Sequence, residues 1–199
     1  MATIGLSKPY CAKYNFDDKT KAVSYTEGMV MGKATEMDIS ISTSDDNNLY
    51  ADNGIAESDR TFADGTLTLS TDDLTQEVSA MILGAVQEDI GTIAGITDTG
   101  VKELLFDDDQ QVPYLGVGFI VKKKHQGLYK WRAVILSRVM FNVPADAATT
   151  QGESIEWQVP TLTATILRDE TDKHGWKREA TFTTEAQAEI YIKNRLGIA

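Results

Sequence analysis

The sequence is short of several things at once. It has one cysteine, Cys11, so neither an internal disulfide framework nor a multi-cysteine zinc site can form. It has two histidines, His125 and His174. Each lies in a polar, turn-like setting, and neither has a second histidine at ligand spacing. Apolar runs stop well short of the roughly 20 residues that a membrane-spanning helix needs. The N-terminal Met-Ala-Thr-Ile-Gly-Leu-Ser-Lys lacks the basic-then-apolar layout of a secretory leader. Cations are scarce too, with 19 Lys and Arg against 30 Asp and Glu and a net charge of −11. Gripping nucleic acid through its phosphates needs clustered Lys and Arg, and that class is disfavoured.

What is present fits one folded domain over residues 1–199, with 42% apolar residues to build a core. The charge is local. Residues 34–77 hold eleven acids and one base, Arg60, whereas residues 101–199 balance at 13 and 13. Such a segment is either a solvated face that confers solubility or a surface that repels something negative.

Periodicity points to strands. Tyr10, Ala12, Tyr14 and Phe16 alternate with polar residues, Asp17-Asp18-Lys19 supplies a turn, and Val23 and Tyr25 return, which predicts a hairpin. Over 35–42, Met37, Ile39 and Ile41 share one face and Glu36, Asp38, Ser40 and Ser42 the other, the pattern of a sheet wet on one side. Residues 43–61 are polar without stable periodicity and are expected to form a long loop, anchored by Leu49, Tyr50 and Ile55. Strands are expected again over 66–70, 101–106, 114–123, 129–141, 155–159, 161–167 and 176–182, with a bulge or edge at Pro160. Two helices are predicted. The first is capped by Ser70 and Asp73, carries Leu74, Val78, Met81 and Ile82 on one stripe, and ends at Gly84. The second spans 184–197, is capped by Thr184 and Gln187, and buries Ala188, Ile192 and Leu196. Between them, 85–100 reads as an irregular connection. The expected architecture is mainly β, a sandwich or partly closed barrel with two short α-helices.

Catalytic chemistry finds little support. Asp107-Asp108-Asp109 is consecutive, whereas a calcium loop alternates its carboxylates. Glu36 and Asp38 are explained by a wet strand face without a glycosidase-like cleft. No Gly-rich phosphate loop and no Gly-x-Ser-x-Gly elbow occur. Lys122-Lys123-Lys124 is short, and a solvated hairpin tip accounts for it. The expectation is no enzyme, no cofactor and no metal.

The run Leu49-Tyr50-Ala51-Asp52-Asn53-Gly54-Ile55-Ala56-Glu57-Ser58-Asp59, with Phe62, Gly65-Thr66-Leu67-Thr68-Leu69 and Asp72-Asp73-Leu74, resembles the major tail proteins of long-tailed, non-contractile bacteriophages. Tyr114-Leu115-Gly116-Val117-Gly118-Phe119 and the segment Glu156-Trp157-Gln158-Val159-Pro160-Thr161-Leu162-Thr163-Ala164 are similar to later strands of that family. The resemblance implies a phage tail-tube fold and a subunit of stacked hexameric rings, made in the bacterial cytoplasm and resident in the virion tail. Its implied partners are other copies of itself, the tape-measure protein, and the tail terminator and distal tail proteins. Double-stranded DNA would be met only in transit, without a membrane. Glu36, Asp38, Ser40, Ser42, Thr66 and Thr68 would face the lumen. Residues 43–61 would be the inter-ring loop, through Asp45, Asp46, Leu49, Tyr50, Asp52, Ile55, Glu57 and Asp59. The alternative is a virion-associated carbohydrate-binding β-sandwich, which would need Trp131, Trp157 and Trp176 on a shared exposed surface.

Overall fold

Alternation at a period of two becomes one large antiparallel sheet. A computed structural model of the chain describes residues 2–44, 47–51, 54–145, 150 and 159–199, giving only the backbone of 47–51, 54–56, 58 and 59. In chain order the elements are β1 (Ala2–Asp17), β2 (Ala22–Val30), β3 (Ala34–Thr43), β4 (Asn47–Ala51), β5 (Gly54–Asp59), β6 (Phe62–Thr71) and α1 (Gln76–Leu83). They continue with β7 (Val86–Asp89), β8 (Lys102–Leu105), β9 (Leu115–His125), β10 (Leu128–Phe141), β11 (Thr161–Leu167), β12 (Lys177–Phe182) and α2 (Glu185–Arg195). The main sheet runs β2-β1-β9-β10-β11-β6-β3, with β12 also paired to β10. The protein is thus mainly β with two short helices, and no sheet closes among the described residues.

Two cores lie on opposite faces of this sheet. Leu115, Val117, Phe119 and Val121 of β9 enter the larger one with Leu67, Leu69, Leu162, Ile166 and the α1 residues Val78, Met81 and Ile82. Cys11 is wholly buried there, and desolvation pushes its thiol up to about 12. The smaller core packs Ile120, Ala133 and Ile135 against Ala188, Ile192 and Leu196 of α2. β9 and β10 are therefore covered on both sides. Gly118 permits the α2 contact, because a Cβ there would lie 2.6 Å from Cγ2 of Ile192. A Lys8–Glu189 ion pair and a Tyr10 hydroxyl donating to Glu189 at 2.7 Å tie the helix to β1.

β10 serves two neighbours in succession. Its residues 131–136 pair with β12 and 138–141 with β11. A register shift between Leu136 and Val139 separates the two, visible on the β9 side. It lets Val134, Leu136, Val139 and Phe141 all reach one core despite their change of parity. The β11–β12 connection is held by Asp169, 3% exposed, whose carboxylate accepts from Thr171 N, Thr171 Oγ1 and Gly175 N.

Several expectations need correction. Residues 43–61 are not an irregular loop, since β4 and β5 pair as an antiparallel hairpin with a bulge between Leu49 and Tyr50. Cross-strand hydrogen bonding pairs a polar segment whose sequence carries no strand period. The first hairpin begins at Ala2 and not at Tyr10, because β9 gives the early residues of β1 a partner. The α1 cap is Thr75, accepting from Val78 N, and not Ser70 with Asp73. The chain stays in β6 through Thr71, and the Ser70 hydroxyl is engaged with Thr161 at 2.9 Å. Gly84 does end α1, in the left-handed region at φ 70°. Residues 85–100 begin with β7, which pairs with β8. The strand expected over 155–159 lies outside the described residues except at Val159.

Candidate functional site: the polar face of β11, β6 and β3

Three strands at one end of the sheet run in register. Thr163, Thr68 and Asp38 form one row, Thr161, Ser70 and Glu36 the row on one side, and Thr165, Thr66 and Ser40 the row on the other. Between them lie the apolar rows Leu162–Leu69–Met37 and Ala164–Leu67–Ile39. Directly paired residues share a face and successive residues alternate. One face of the three strands is therefore all hydroxyl and carboxylate, and the other supplies the large core.

This arrangement follows from local sequence. Threonine suits a strand because its branched Cβ packs on the pleat while its hydroxyl meets water. Glu36, Asp38, Ser40, Ser42, Thr66, Thr161 and Thr163 are exposed, Thr68 and Thr165 are half-buried, and Ser70 is buried beneath its contact with Thr161. Asn142 extends the surface by donating from Nδ2 to Thr163 Oγ1 at 3.3 Å. None of the three strands contains a Lys or Arg, so Glu36, Asp38 and the neighbouring Asp64 set its charge. On one strand face, Glu36 and Asp38 stand roughly 7 Å apart.

The six residues that the resemblance would place toward a lumen, Glu36, Asp38, Ser40, Ser42, Thr66 and Thr68, share this polar face. Thr161, Thr163 and Thr165 belong to it as well. The signal for them was present, because the inward parity of Leu162, Ala164 and Ile166 leaves the odd residues outward. β3 is the last strand on its side of the sheet, with β6 as its ladder partner, and one of its backbone edges carries no ladder among the described residues. The β4–β5 hairpin continues from β3 and leads into β6. Within it the backbones of Leu49, Tyr50, Ile55 and Asp59 are in strands, and Glu57 is exposed. Asp45, Asp46 and Asp52 lie outside the described residues.

The hydroxyls stand on an open strand face, with Asp38 paired directly to Thr68 and Glu36 to Ser70. Among the described residues no group of three or more His, Cys, Asp or Glu is placed to hold a metal ion, and no helix is long and apolar enough to cross a membrane. An open groove of about 410 Å³ lies where Thr3, Gly5 and Leu6 of β1 approach Thr35, Glu36 and Met37 of β3. Of the tryptophans, Trp131 is half-buried beside the α2 core, while Trp176 stacks on Phe62 at 4.7 Å beside the other core. These two do not share a surface, and Trp157 lies outside the described residues.

The Lys122–124 run lies at the end of the β9–β10 hairpin, as the sequence led us to expect, and has aromatic neighbours there. Lys122 stands 4.7 Å from the Tyr129 ring centre and 5.6 Å from that of Trp131. Cross-strand pairing of Lys122 with Trp131 and Lys124 with Tyr129 creates these contacts. No protein-family model matches the chain, and no curated protein matches it.

Proposed function

We propose that the chain is a structural subunit of a bacteriophage tail tube, assembling into stacked hexameric rings through which the viral genome is delivered. The observation that carries this reading is the in-register hydroxyl-and-acid face on β11, β6 and β3, ending in a strand with one edge that carries no ladder among the described residues. Exposed strand edges normally invite uncontrolled pairing. In a ring each edge is satisfied by the next copy, and rotational symmetry keeps growth finite. Repeated around a ring, Glu36 and Asp38 present a negative wall to a polyanion, so DNA passes without adhering.

On this reading, the β4–β5 hairpin reaches the adjacent ring, and the tape-measure, tail terminator and distal tail proteins are the further partners. The protein acts as a wall in the virion tail and catalyses nothing. Negative-stain electron microscopy of the purified full chain tests this, with rings or tubes as the expected particles. A chain that remains monomeric at high concentration across a range of salt overturns it.

A further inference from the structure

Two exposed regions at opposite ends of β9 have opposite charge, and both leave apolar side chains uncovered. The first is the arm made by β7, β8 and their connection. Residues 86–109 contain seven acids and one lysine. In the same arm Val86, Ile93, Ile96, Val101, Leu105 and Phe106 are between 39% and 50% exposed. Val86 and Leu105 are direct cross-strand partners and share one face, so these two form one apolar patch. An uncovered apolar group of this kind, rimmed by acids, is typical of a contact surface.

The second region is the turn end of β9 and β10. Residues 120–132 contain five Lys or Arg and no acid. Lys123 is paired directly with Lys130, a like-charge arrangement that is unfavourable within one chain. Glu179, the acid whose field Lys123 shares, is already engaged by Arg132 and Lys177. Leu128 and Tyr129 beside these lysines are 68% and 44% exposed.

The arm enters β9 at Leu115, and the turn follows His125. The 11 residues of β9 hold the two regions apart by roughly 35 Å. We propose that the acidic, apolar β7–β8 arm of one copy docks on the basic β9–β10 turn of the next, head to tail. Acids meet the unbalanced lysines, and Val86, Leu105 and Phe106 cover Leu128 and Tyr129. The choice of a second copy as occupant rests on the tail-tube reading, whereas the pairing rests on charge and exposure. Because different patches meet, the contact is heterologous and either closes into a ring or extends as a filament. Its charged component weakens as salt rises.

Sedimentation velocity of the full chain tests this with two charge reversals. One variant carries Asp107→Lys, Asp108→Lys and Asp109→Lys, and the other Lys123→Glu, Lys124→Glu and Lys130→Glu. Each alone is expected to stay monomeric at concentrations where the unmodified chain assembles, and their equimolar mixture is expected to assemble again. Assembly by either variant as readily as by the unmodified chain overturns the pairing, as does a mixture of two folded variants that stays monomeric. The near-isosteric set D107N, D108N and D109N guards against misfolding. It is expected to raise the concentration of half-assembly at least about ten-fold, and an unchanged value overturns the proposal. Rings that form regardless of all three variants refute the arm–turn contact and leave the tube reading standing. Open oligomers that never close, yet are lost in both reversals, support the contact and refute the tube. An unmodified chain that stays monomeric refutes both.

Discussion

Single residues decide how closely the elements approach. Gly118 sits among the buried apolar residues of β9, and its role is to admit Ile192 of α2. Gly118→Val forces helix and sheet apart in a packed interior and is expected to destabilise the protein by about 1–3 kcal/mol, measured by urea unfolding followed by circular dichroism. Nothing in the sequence pairs Gly118 with Ile192, because their contact spans more than seventy positions. Asp169 was illegible for a related reason. It reads as one acid in a polar turn, yet it is buried and organises the connection that lets β10 change partners.

At the scale of elements, β6 has two faces with different energetic weight. Leu67 is 1% exposed and Thr66 is exposed. Leu67→Ala is expected to cost about 2–5 kcal/mol, whereas Thr66→Ala is expected to stay within about 0.5–1 kcal/mol. Equilibrium denaturation of both variants checks the contrast, and similar losses would contradict the assigned faces. α2 is anchored differently, through Glu189. Its hydrogen bond from Lys8, then that from Tyr10, hold its carboxyl below the usual carboxylate range. A depressed pKa contributes stability that is fully present above the unfolded value of about 4.3 and lost as pH falls through the folded value. Stability is therefore expected to fall below about pH 4, and Glu189→Gln is expected to flatten that part of the profile in thermal melts across pH. The alternation of β3, β6 and β11 and the cap of α2 at Thr184 were legible in sequence, because a period of two or 3.6 is a local property. The β4–β5 hairpin was not, since its residues show no alternation and only the register of cross-strand pairing defines it.

For the whole molecule, the acidic segment acquires a position. Glu36 and Asp38 stand on one exposed face beside Thr66, Thr68, Thr161 and Thr163, backed by the larger core. Under the tail-tube proposal, replacing both acids with Lys is expected to leave assembly intact, since neither side chain reaches that core. DNA delivery is expected to slow through adhesion to the wall. Tube formation by microscopy and genome ejection by the corresponding phage are the two measurements, and unchanged ejection would remove the electrostatic role while leaving the tube. The same balance of charge explains why scarce cations do not mean an even negative surface. The five Lys and Arg of residues 120–132 form a basic end on an acidic protein.

Composition and periodicity by themselves determined that this protein is mainly β, with one wet acidic strand and a C-terminal helix, because those properties depend on neighbours a few residues apart. Tertiary structure alone decided the order β11–β6–β3 that gathers the hydroxyls and acids into rows, and the bulge that switches the partner of β10. It also decided the distance that separates the acidic arm from the basic turn. Each depends on residues brought together across long loops, where the register of hydrogen bonds, and not any local period, sets which side chains meet.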